Sequence, residues 1–344
     1  MVIGICGYGF TGSGAVVDLM QEYAEPQVFR KAEIQESFKI DGLQDLEYHL
    51  VKQYSRHISG DMAIKRFKDV RGFNFTPILK KSVNEKDYRR ISDEFLEGLI
   101  QAEWYGLDNI DYSSRNGIYN LIVLVLKKKW FPFYEKLTGK DFKHWPARKM
   151  YLSIEPEDFY EKTKTYTDNL MVAMGADLNR DIVLDQVFEG NNPQNSFPFF
   201  RNPKAIVVDR DPRDVFMLAR YGQKTAAEAR FMPRMDVEAF IAYYKRLRLH
   251  NLQDSELVLH IRFEDLIYEY DSTVDRIEKF IGYSNHYKKK VFFKPEVSIY
   301  NTQIYKNPLY KKDIKLIGKI EEELPEFLYD FDKYESLESY KKAF

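Results

Sequence analysis

The sequence predicts an α/β protein with a central parallel sheet and a large helical insertion. Three observations predict it. Five short runs rich in β-branched residues are spread along the chain, several lead straight into helical patterns, and one long stretch between them carries helix periodicity alone. The 344 residues, 44% of them hydrophobic and 15% aromatic, are enough for a sizeable core. No repeat, low-complexity tract or Pro/Gly/Ser-rich linker divides them, so 1–344 is read as one domain.

In chain order, Val2–Cys6 is the first strand and Ser13–Tyr23 the helix after it; Pro26–Phe29 is the second strand. From about 44 to 175 the chain is rich in Leu, Lys, Glu and Tyr. Apolar residues there stand three and four apart, as in Phe95 and Leu99 or Leu96 and Ile100, and this stretch is the helical insertion. Asp181–Leu184 resumes the sheet. Ala205–Asp209 follows, with helix Pro212–Tyr221 behind it, then Leu257–Ile261 with helix Ser272–Ile281. These runs lack polar alternation, as strands covered on both faces do. An amphipathic helix over Lys312–Phe327 closes the chain.

Composition removes several classes of function. With 52 basic and 53 acidic residues the formal charge is −1, which gives no general surface for nucleic acid. A single cysteine, Cys6, leaves no intrachain disulfide and no cysteine metal site, and the six histidines have no ligand spacing, so no metal is expected. The start lacks a basic, then apolar, leader pattern. The longest apolar run, Ile118–Leu126, is too short to span a bilayer. A cytoplasmic protein without a membrane span is the expectation.

The junction Gly7-Tyr8-Gly9-Phe10-Thr11-Gly12-Ser13-Gly14 joins a strand to a helix. Glycines let the backbone approach a ligand closely, helix N-terminal amides favour an anion, and Thr11 and Ser13 add hydroxyls. A bare strand–helix turn needs fewer glycines, so a phosphate site is the reading. Gly7 and Gly12 have Walker A spacing, but Ser13 and Gly14 stand where Lys and Ser/Thr belong, which disfavours a nucleotide-dependent kinase. Gly7 to Gly12 also fits GxGxxG, yet no acidic residue follows at the ribose position unless Glu33 serves.

Two further segments bear polar tips at strand ends. Arg201-Asn-Pro-Lys-Ala-Ile-Val-Val-Asp-Arg-Asp-Pro-Arg-Asp214 puts Arg210 at the carboxyl edge, where a phosphate could meet its planar fork, or where neighbouring aspartates could pair it. Leu257-Val-Leu-His-Ile-Arg-Phe-Glu-Asp-Leu266 is the other.

In this order and at these separations, the three pieces resemble the sulfotransferases that use 3′-phosphoadenosine 5′-phosphosulfate (PAPS). Phe10-Thr-Gly-Ser-Gly14 resembles their 5′-phosphosulfate loop. Val208–Val215 resembles their 3′-phosphate motif, and Arg262-Phe-Glu-Asp-Leu266 with Phe280-Ile-Gly282 resembles their Tyr-Glu-Asp-Leu … Phe-Leu-Gly segment. The resemblance covers about a third of the chain and leaves the insertion out. It implies a P-loop-like three-layer fold in which Thr11, Gly12 and Ser13 hold the 5′-phosphosulfate, in a cofactor-binding loop that includes Gly9 and Gly14, while Arg210 holds the 3′-phosphate and Phe263 lies near the adenine. Two positions depart from the family. Phe10 stands at its loop Lys/Arg and Leu218 at its phosphate-binding serine. Arg213 or Arg220 could replace the serine. A cation from elsewhere, such as the Arg30-Lys31 pair, must replace the lysine, because sulfuryl transfer spreads negative charge that needs one.

The acceptor hydroxyl needs a base. The resemblance to the carbohydrate-acting branch points to Glu33, and position at the sheet edge points to Asp185; either carboxylate could equally be a solvated or capping group. The loop Glu189–Asn195 and the Trp130–Tyr134 cluster could meet a sugar, and the lysine runs 127–129 and 288–290 an anionic glycan. The expected function is sulfuryl transfer from PAPS to a hydroxyl of a carbohydrate or glycan precursor, the partner being a small-molecule or glycan acceptor. A non-catalytic nucleotide-binding protein of the same fold is the alternative, motivated by Phe10 and Leu218.

Overall fold

The computed structural model describes residues 1–30, 34–54, 57–73, 82–107, 117–222, 231–250 and 253–334. Its strands are β1 (Val2–Gly7), β2 (Gln27–Phe29), β3 (Ala102–Gly106), β4 (Arg148–Leu152), β5 (Ile182–Asp185), β6 (Pro203–Asp209) and β7 (Val258–Arg262). The chain divides into two compact units. One contains Met1–Phe38 and Met171–Phe344, the other Lys39–Thr76 and Val83–Leu170.

The first unit is a three-layer α/β fold around a five-stranded, all-parallel sheet in the order β2-β5-β1-β6-β7. All five expected strands are in it. Side chains alternate across the sheet as period-2 geometry requires. Ile3, Ile5, Ile206, Val208 and Ile261 point into a core shared with helices Ser13–Met20 and Tyr270–Ile281. Gly4 points the other way, where a Cβ would strike Phe188. Helices Pro212–Tyr221, Val237–Leu247 and Ile314–Glu323 pack on one another through Phe216, Phe240, Tyr244 and Ile320. Val237–Leu247 was not among the expected helices, although Val237, Phe240, Ile241 and Tyr244 have the spacing of one buried face.

β1 sits at the centre, and the chain leaves it toward β2 on one side while β6 leads toward β7 on the other. The crevice between the carboxyl ends of β1 and β6 is therefore the topological switch point, where ligands of such sheets bind. The parallel register brings Gly7 beside Val208, Asp185 beside Ile5, and Arg262 beside Asp209. Three loops far apart in sequence thus leave one edge of the sheet together.

The second unit holds helices Leu43–Glu47, His57–Phe73, Glu85–Leu99, Gly117–Val125 and Phe131–Thr138. It overlaps the expected insertion and adds an antiparallel pair, β3 with β4, that helix periodicity did not foreshadow. Tyr88, Leu96, Leu99 and Tyr166 are buried in it, and Phe95 stacks on Tyr166 at 4.6 Å between centroids. Asp61 fastens β4 to the His57–Phe73 helix by accepting the Tyr151 N–H at 2.8 Å.

Candidate functional site

The glycine-rich loop is built from left-handed backbone. Gly9 has φ 82°, Phe10 φ 58° and Gly12 φ 95°. Gly12 is required twice over, since its φ penalises any L side chain and a Cβ would stand 2.4 Å from the Phe263 ring. It caps the Ser13–Met20 helix without a side-chain acceptor and without an acidic residue in the first turn. That end of the helix carries the positive pole of the helix dipole, and of its first-turn amides the Ala15 N–H is taken by the Gly12 carbonyl at 3.0 Å. The two hydroxyls are turned to the protein: Thr11 Oγ1 accepts from the Tyr8 N–H at 3.1 Å, and Ser13 Oγ accepts from Gln186 Nε2 at 2.8 Å.

Arg210 follows β6 and is only 4% exposed. It is not paired with the neighbouring aspartates, each of which is engaged elsewhere. Asp209 takes a two-point pair from Arg248 at 2.5 and 2.7 Å, Asp211 takes Arg213 at 2.7 Å, and Asp214 accepts the Gln303 and Ile304 N–H groups at 2.8 and 2.7 Å. Burial alone would raise the Asp209 carboxyl, but Arg248 overrides it and holds it below the usual range. Arg210 instead donates to the carbonyls of Phe10 (3.2 Å) and Asn301, and its carbon Cζ lies 4.5 Å from the Phe263 ring centroid. Its Nε is buried without a partner among the described residues. Burial lowers its pKa, opposed by the charges of Asp214, Glu264 and Asp211.

Gly12, Gly14, Arg210 and Phe263 line one cavity of about 490 Å³, within the range of small-molecule sites. All three sequence segments meet there, together with Phe10, Leu218 and a wall that sequence reading missed. That wall is Phe292, Phe293 and Lys294, delivered by the chain after helix Tyr270–Ile281. Lys294 is exposed, and its ammonium has no ion pair among the described residues. No motif marks it: it precedes a four-residue helix, Pro295–Ser298, in a stretch of turns.

The other expected site residues fall elsewhere. Arg213 is held by Asp211, by Glu321 at 3.0 Å and over the Tyr305 ring at 4.2 Å, and Arg220 by Asp313 at 3.3 Å; neither lines the cavity. Arg30 pairs with Asp18 at 3.0 Å. Asp185 ends β5, half-buried, and is not among the residues that line this cavity. Glu33 and Lys31 lie outside the described residues. Cys6 is fully buried, and burial pushes its thiol up, so it is inert.

A second cavity of about 600 Å³ shares Phe10 with the first and adds Gly9, Gln35, Gln186, Glu189 and Tyr243. The Phe10 ring stacks on Phe231 at 5.5 Å. Glu189 reaches solvent at its surface, yet the surrounding protein dehydrates its carboxyl and raises its pKa. It begins the polar turn singled out in the sequence, and its being an acid beside a strand end was the available signal.

Compared with family models, curated proteins and solved structures, the chain matches none of them.

Proposed function

We propose that the first unit binds a 3′-phosphorylated adenosine nucleotide in the 490 Å³ cavity and transfers the sulfuryl group of PAPS to a hydroxyl. The observation that carries this reading is the meeting of Gly12, Arg210 and Phe263 on one wall of a switch-point cavity. The buried Nε of Arg210 has no partner among the described residues, and a phosphate oxygen would complete it. Phe263 and Phe292 offer flat apolar surface to a base, and the amides of the Ser13–Met20 helix offer an anion site.

PAPS would supply the activated sulfuryl group. Lys294 is the cation that fits the role left open by Phe10, and it would offset the charge that spreads over the transferred group. Glu189, on the other side of Phe10, fits the base: a carboxyl with a raised pKa accepts a proton more readily from an acceptor hydroxyl in the second cavity. Gln35, Gln186 and Tyr243 line that cavity with groups suited to sugar hydroxyls, which supports a carbohydrate or glycan acceptor. Retained nucleotide binding without turnover remains the second reading, favoured by the phenyl ring at position 10.

The test is calorimetric titration with adenosine 3′,5′-bisphosphate, with ATP for comparison. Micromolar binding is expected, preferred over ATP, and Arg210→Ala should cost about 1.5–3 kcal/mol, the scale of a charge-assisted hydrogen bond. Binding untouched by that substitution, or no binding, would end the reading.

A further inference from the structure

The second unit carries a feature that the nucleotide site does not explain. Gly117–Val125, the π-turn Leu126–Trp130 and Phe131–Thr138 follow one another without a break, a rod about 30 Å long. Of Gly117–Val125 only Val123 is buried. Ile118, Leu121, Ile122 and Val125, at i, i+3, i+4 and i+7, form a stripe that would normally face a core, yet they are 76%, 62%, 47% and 51% exposed. Trp130 and Phe133 continue the apolar surface at 51% and 58%. A contiguous exposed surface of this kind marks a docking face.

Charge identifies the occupant. Between 117 and 149 stand eight basic residues (Lys127, Lys128, Lys129, Lys136, Lys140, Lys143, Arg148, Lys149) and two acidic ones, Glu135 and Asp141; eight minus two, less the Lys149 charge that Glu103 pairs at 2.7 Å, leaves +5, against −1 for the whole chain. All eight are exposed. An isologous contact with a second copy would set this excess against itself. An acidic bilayer surface would neutralise it while taking up the apolar stripe and the tryptophan, which favours the interface. The helix is not long and apolar enough to cross a membrane. We infer that this helix lies in the plane of an anionic lipid surface, apolar stripe inward and lysines at the headgroups. The inference is independent of what the first unit binds.

The test is co-sedimentation of the full chain with vesicles of phosphatidylcholine alone and of phosphatidylcholine with one third phosphatidylserine. The protein should pellet with the acidic vesicles and be released by high salt. Lys127→Gln/Lys128→Gln/Lys129→Gln should weaken partitioning on the order of a hundredfold. Leu121→Ser/Ile122→Ser should abolish it while circular dichroism and melting stay unchanged, because both side chains are exposed in the free protein. Equal pelleting with neutral vesicles, or indifference to both variants, would overturn the inference. So would absence of vesicle binding combined with self-association that Leu121→Ser/Ile122→Ser removes, which would assign the stripe to a second copy.

Discussion

Arg210 is buried, charged, and held by two backbone carbonyls while every nearby aspartate serves another partner. Its charge is felt at Asp214, whose carboxyl is fully buried. Burial pushes that carboxyl from 3.8 to about 7, with Arg210 opposing and Asp211 and Glu264 reinforcing. The sign of the pH effect follows. Between about 4 and about 7 the folded chain keeps a proton that the unfolded chain has released, so Asp214 makes stability fall as pH rises through that window and adds no slope above it. Asp214→Asn imitates the protonated form and should lack this slope. Thermal unfolding of both proteins from pH 5 to 8 should show the wild type losing ground to the variant as pH rises. Glu189 is raised as well, but it is present in both proteins and cancels, while Glu264, whose charge reinforces the Asp214 shift, is relieved in the variant and so changes the slope in the same direction. A constant difference across the range would mean that Asp214 is ionised throughout.

At the scale of elements, legibility follows how local the cause is. The five parallel strands are written in short apolar runs, four of them rich in buried aliphatic residues as strands covered on both faces are, and each stands within one or two residues of its expected bounds. β3 and β4 were not legible. Their residues, Ala-Glu-Trp-Tyr-Gly and Arg-Lys-Met-Tyr-Leu, alternate weakly, and their pairing bridges a gap of more than forty positions. The site divides the same way. Gly12, Arg210 and Phe263 sit at strand ends and were legible; Lys294 arrives by way of turns that no pattern announces. What places it is Glu22, fully buried at the end of the first helix. Glu22 accepts the N–H groups of Lys290, Phe292 and Phe293 at 2.9 Å and His286 Nε2 at 2.7 Å. One carboxylate thus fastens the whole cavity wall to the sheet's first helix. Glu22→Gln should leave amides unpaired, cost about 2–4 kcal/mol of stability and weaken bisphosphate binding together. Lys294→Ala should weaken binding with an unchanged melting temperature, since the ammonium is exposed. Equal melting of both variants in denaturation scans would refute the anchoring role.

At the scale of the whole first unit, the cavity draws on two distant stretches of its chain: Gly12 comes from Met1–Phe38, and Arg210, Phe263 and Lys294 from Met171–Phe344. A ligand held by all four loses its site when any of those segments leaves the sheet, so its binding energy should appear in global unfolding and not only in local fraying. At a hundredfold excess over Kd, linkage predicts about 2.7 kcal/mol of added stability. For a unit of this size that corresponds to a rise of roughly 5–10 °C in the unfolding midpoint. Hydrogen exchange should then slow by a similar factor in β1, β6 and β7, the three strands whose loops form the cavity, and Arg210→Ala should erase most of the gain at the same ligand concentration. Slowing confined to the amides of residues 12–15, with β6 and β7 unchanged, would mean that the ligand rests on the helix N-terminus alone and that Arg210 and Phe263 take no part in holding it.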